Sequence, residues 1–141
     1  MNSTLNPPLL ELTLRPDLGI LLGRWGYQPE ARELAACYQR LATEALATGC
    51  RFWLQDLRQR TVNDPATTQW LLTEFFPDMA QRLGGRLYVA YLFGPALHQH
   101  IVETPDYAPP SAYDERPYAL DFFEHEGTAI QWLQIHQHWQ A

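Results

Sequence analysis

The chain has 141 residues, 46% hydrophobic and 18% charged, with a net charge of −6. That balance predicts one globular domain with a real core and excludes a disordered polymer. The basic residues are scattered, so no basic face is set up to neutralise nucleic-acid phosphates or to meet an anionic membrane.

Cys37 and Cys50 fall at the middle and end of one helical pattern, roughly 20 Å apart along a helix axis, too far to bridge. Both are expected as reduced packing residues of a cytoplasmic protein. The opening MNSTLNPPLLELTL lacks the basic and apolar regions of a signal peptide, and no run approaches the ~20 apolar residues of a membrane span.

Residues 1–8 are expected as a loose tail, and 9–141 as a single domain. Leu10, Leu12 and Leu14 alternate with polar residues, the period of a half-buried strand, and Ile20 to Trp25 returns as its partner after Pro16, Asp17 and Gly19. A helix follows with Pro29 at its first position and Gly49 at its stop, its apolar stripe running through Leu34, Tyr38, Leu41 and Ala45. RFWLQD reads as a buried strand, and Asp64-Pro65 as the cap and first residue of a second helix. Trp70, Leu71, Phe75, Met79 and Leu83 carry that helix to Gly84-Gly85, and Pro77 must kink or split it. RLYVAYLF is another buried strand. Residues 94–117 form an irregular, proline-rich loop that admits a short helix over PALHQHIV. YALDFF is the last strand, and Thr128 with Gln131 has capping-box spacing before the closing helix. This order predicts an α/β fold: a mixed sheet of about five strands, an initial β-hairpin and then β-α crossovers, with helices packed on the sheet.

The element order, the strand FWLQDLR ending in Asp56, the helix-opening Asp64 eight positions on, and the closing GTAIQWL together resemble the STAS fold of sulfate-transporter domains and anti-sigma factor antagonists. The chain looks most similar to the SpoIIAA-like branch, mostly small bacterial proteins of unassigned role. The resemblance covers roughly residues 9–135 and implies a regulatory module. In the antagonists a serine directly after the second aspartate is phosphorylated. This chain has Pro65 there, with no hydroxyl, and Thr61, Thr67 and Thr68 lie only nearby. The usual phosphoswitch is expected to be absent.

Asp56 and Arg58 stand where a buried strand emerges, and ligands of open α/β sheets bind beyond such ends. Arg58 and Arg60 could hold an anionic group there, with Asp64 nearby; against this stands an ordinary ion pair beside a helix cap. His98–His100 and His136–His138 repeat an HQH pattern, but residues two apart diverge on a helix and no zinc-type spacing completes a set. Surface histidines without a metal are expected. The two serines, Ser3 and Ser111, sit on no nucleophile turn, no glycine-rich phosphate loop exists, and no cofactor is implied. Tyr107, Tyr113 and Tyr118 flank the proline-rich loop and have less reason for burial than the other rings; they could lid a pocket, clasp a partner, or pack the loop down.

The favoured reading is a non-catalytic regulatory or protein-interaction module, whose partner is another protein or a second copy in a homodimer formed through an exposed helix face or the 94–117 loop. The alternative is a small-ligand or lipid-binding protein whose aromatic-lined pocket lies under that loop and takes an apolar or anionic molecule. An enzyme built on Asp56, Arg58 and a loop histidine ranks last.

Overall fold

Leu10–Arg15 (β1) and Ile20–Trp25 (β2) pair as an antiparallel hairpin, with Leu10 opposite Trp25 and Arg15 opposite Ile20. Gly19 closes its turn at φ 67°, a left-handed conformation that costs glycine nothing, and its N–H donates to the Arg15 carbonyl at 2.8 Å. The computed structural model describes residues 8–61, 63–104 and 107–140. Apart from the exposed Pro8, the expected tail lies outside the described residues.

Three parallel crossovers follow the hairpin. Ala31–Thr48 (α1) leads to Phe52–Asp56 (β3), a longer helical segment leads to Leu87–Leu92 (β4), and the 94–117 segment leads to Tyr118–Phe123 (β5). The strands lie in the order β1-β2-β3-β4-β5, with β2 to β5 mutually parallel. Pro29 does not open α1. Glu30 is the cap instead, because its N–H finds the Glu33 carboxylate at 2.8 Å in a reciprocal capping box.

Pro77 splits the second helical segment into Pro65–Trp70 (α2), a π-helical turn over Leu71–Phe75, and Phe76–Leu83 (α3). In a π-helical register the Leu72 carbonyl would accept from the N–H of residue 77, which proline lacks. The Tyr118 hydroxyl donates to that carbonyl instead, at 2.8 Å. The 94–117 segment is less irregular than expected: it holds Pro95–Val102 (α4) and a 3-10 turn over Pro110–Tyr113. The closing helix, Glu126–Gln140 (α5), starts two residues before Thr128, whose hydroxyl turns back to the His125 carbonyl at 2.8 Å. Thr128 is thus an inner residue of the first turn, not its cap.

Side-chain alternation sorts the core onto two faces. Leu21, Trp25, Trp53, Val89 and Leu120 meet Tyr38 and Leu41 of α1 and Phe76 and Met79 of α3 on one face. Ile20, Leu22, Leu54, Tyr88 and Leu92 meet Ala129 and Leu133 of α5 on the other. Every residue of β4 is buried, as a strand covered on both sides requires. Tyr113 and Tyr118 are buried too, against expectation, because one packs ring to ring on the other and Tyr118 serves the Leu72 carbonyl. No helix among the described residues is long and apolar enough to cross a membrane.

Candidate functional site

The parallel strands bring their carboxyl ends to one edge, and two different groups of side chains collect there, one on each face.

On the α5 face, Asp56 is buried and surrounded by donors. It accepts from Arg24 Nη1 at 3.0 Å, Arg58 Nε at 2.9 Å, Arg58 Nη2 at 2.7 Å and the Arg58 backbone N–H at 3.1 Å. Arg24 also forks onto both oxygens of Glu126, at 2.8 and 3.1 Å, at the start of α5. Burial pushes the Asp56 carboxyl up, but Arg58 and Arg24 outweigh it and hold it below the ordinary carboxylate value. The Glu126 carboxyl is lowered chiefly by its hydrogen bond to Arg24. The acceptors are filled and the carboxylates stay ionised, so this network suits holding the first turn of α5 to the sheet better than receiving a proton.

On the helix-covered face lies a cavity of about 410 Å³. Tyr91 and Phe93, two apart on the strand β4 and its exit, stack with Phe122 of β5, all three ring centroids 5.9 Å apart in near-parallel planes. These rings make the floor. The wall comes from Leu57, Asn63 and the α2–α3 segment, and the cover from Ile101, Tyr107 and Tyr113 of the 94–117 segment. Among the described residues every lining side chain is uncharged, with hydroxyls and amides such as Thr61, Thr68 and Gln69 among the polar ones. Burial raises the Tyr91 hydroxyl well above the ordinary phenol value. A second hollow of similar size, between Pro77, Gly85 and Arg116, is lined largely by residues open to solvent.

The six residues singled out in the sequence fall into four places. Asp56 and Arg58 join each other in the ion-pair network. Arg60 lies on the opposite face, 5% exposed, with its guanidinium 4.4 Å from the centre of the Trp25 ring. Asp64 is an exposed cap that accepts from the Thr67 N–H at 3.1 Å and the Thr67 hydroxyl at 2.6 Å. Tyr107 and Tyr113 line the cavity. Pro65, at the phosphorylation position of the resembled family, is exposed at the first position of α2. The sequence reading missed Arg24 and Glu126, and also Tyr91, Phe93 and Phe122 as a unit. The two-residue spacing in Tyr91-Leu92-Phe93 is the local signal for the shared face; the meeting with Phe122 depends on strand register.

The histidines do not converge on the aspartate. His98 Nδ1 meets Glu124 at 2.9 Å. His136 is not a free surface group, for its ring stacks on Tyr88 at 4.6 Å, and burial lowers its pKa. Among the described residues no group of three His, Cys, Asp or Glu is placed to hold a metal. Cys37 and Cys50 are both free and buried. No protein-family model matches the chain, and no curated protein matches it either.

Proposed function

We propose that this protein is a non-catalytic module that binds a small, largely apolar molecule in the cavity beneath the 94–117 segment. The carrying observation is the hollow itself: about 410 Å³ floored by three stacked rings and edged by a few hydroxyls and amides. Such volumes fall at the lower end of the roughly 300–1,000 Å³ typical of ligand sites, which are mostly apolar with few polar groups. Its position at the carboxyl ends of parallel strands is where open α/β sheets bind ligands. The STAS-like regulatory reading joins this one naturally. With Pro65 in the serine position, occupancy of the cavity replaces phosphorylation as the signal, and the covering segment is the part that responds.

The test is calorimetric titration with decanol, comparing the wild type with Ala108→Trp. Ala108 is half-buried in the cavity wall, so an indole there fills the space. Saturable binding to the wild type, weakened about tenfold or more in the variant with folding intact, is the expected result. Native mass spectrometry of the freshly purified protein adds an independent readout, a retained small molecule. A wild type that takes up no apolar probe would end this reading.

A further inference from the structure

Arg60 is a buried cation without a counter-ion among the described residues. One nitrogen, Nη2, donates to Asn63 Oδ1 at 2.5 Å, while Nε and Nη1 are buried with no hydrogen-bond partner. Arg24 and Arg58 hold carboxylates. Half-buried Arg86 also keeps one unpartnered nitrogen, Nε, but its Nη2 donates to the carbonyls of Tyr113 and Tyr118, and only Arg60 buries two such nitrogens among the described residues. Stacking on Trp25 offsets part of the cost of taking a guanidinium out of water, yet a buried charge calls for an opposite one.

The position of Arg60 suggests where that opposite charge comes from. Its N–H closes a turn onto the Leu57 carbonyl at 3.0 Å, and its neighbours in that turn, Leu57 and Thr61, line the cavity. The acceptor of its Nη2, Asn63, is a wall residue as well, and the Tyr38 hydroxyl interacts with the same guanidinium. Arg60 itself is not a lining residue, but it lies directly behind this part of the wall, and its charge opposes the effect of burial on the hydroxyl of Tyr91 on the floor. The lining itself supplies no formal charge among the described residues.

We propose that the cavity takes an amphipathic monoanion, an apolar chain or ring system ending in a carboxylate, and that Arg60 is its counter-ion. The proposal rests on the cavity being a ligand site. Asn63 then acts as a positioning residue, holding Nη2 in the free protein. When its oxygen gives way, one carboxylate makes a two-pronged contact through Nη2 and a vacant donor. A phosphate monoester, with close to two charges, would want a second cation that the described lining does not offer.

Decanoate and decanol share a ten-carbon body and differ in charge, so titrating both at fixed ionic strength isolates the headgroup. Decanoate is expected to bind the wild type about tenfold tighter or more. Arg60→Met should bring decanoate down to the level of decanol and leave decanol nearly unchanged, while Arg60→Lys retains part of the preference. Circular dichroism checks the fold of each variant; if Arg60→Met does not fold, the wild-type ratio and Arg60→Lys decide the matter. Equal wild-type affinities, or a decanoate preference that survives Arg60→Met, overturn the counter-ion while the cavity reading stands. Failure of both probes removes the cavity reading and this proposal with it.

Discussion

Gln55 and Asp56 are neighbours on β3, both buried, yet they face opposite sides of the sheet and opposite kinds of chemistry. On the α5 side every group in the Asp56 network has its complement in place. On the opposite face, which also carries the cavity, the Gln55 amide nitrogen and two Arg60 nitrogens are buried without partners. A charge cluster that is complete within the chain is a sign of structure, because it asks nothing of another molecule. An incomplete one beside a cavity is a better guide to function.

Several substitutions would break or sharpen that contrast. The largest effect belongs to Asp56→Ala, which leaves two arginines facing each other without their shared anion. Loss of a fully buried partner costs about 3–5 kcal/mol, but Arg24 and Arg58 are 35% and 45% exposed, so about 2 kcal/mol is expected in urea denaturation. A cost below about 0.5 kcal/mol would show that the network does not hold α5, and the two faces would lose their distinction.

Glu126→Gln removes only the outer half of the network, and its partner Arg24 is about one-third exposed, so a loss of about 0.5–1 kcal/mol is expected. Acid tests the same pair. Asp56 and Glu126 are both lowered on folding, so their stabilisation is fully present above the unfolded carboxylate values near pH 4 and is lost as pH falls through the lower folded values. His136, also lowered by burial, begins the decline earlier, below about pH 6.5. Melting temperature followed from pH 7 to pH 3 should therefore fall, and the acid limb should flatten in Glu126→Gln.

Asp121 gives the smallest effect, with opposite sign. Burial raises its carboxyl, so the ionised form is disfavoured in the folded state at neutral pH. Asp121→Asn keeps an oxygen for the Phe122 N–H, which Asp121 Oδ1 accepts at 2.7 Å, and should raise the melting temperature by on the order of 1 °C at pH 7. A decrease would mean that the carboxylate has a stabilising partner on that face.

Much of the architecture was legible because it is written in local periodicity. The leucine alternation of β1, the buried run of β4, and the Asp64-Pro65 helix start are each decided within a few residues. The candidate site was less legible because it depends on register and facing. Arg58 and Arg60 are two apart and look equivalent on paper, but the chain turns after β3, sending one back to the Asp56 carboxylate at the end of its own strand and the other onto Trp25 on the opposite face. Arg24 and Glu126 are separated by 102 positions, and nothing local announces their meeting. Tyr113 looked exposed because it follows two prolines; its burial depends on Tyr118, five positions later in β5.

The absence of a side chain at Gly23 reaches further than its own strand. A methyl group there would lie 2.7 Å from the Gln55 amide nitrogen, forcing that amide to turn. Its oxygen is what the Trp25 indole N–H holds, at 2.9 Å, and the guanidinium of Arg60 rests on that same indole. One hydrogen atom in place of a methyl, deep in the second strand, therefore sets the seat of the cation three contacts away, and alanine at this position would shift the guanidinium behind the cavity without touching the cavity walls.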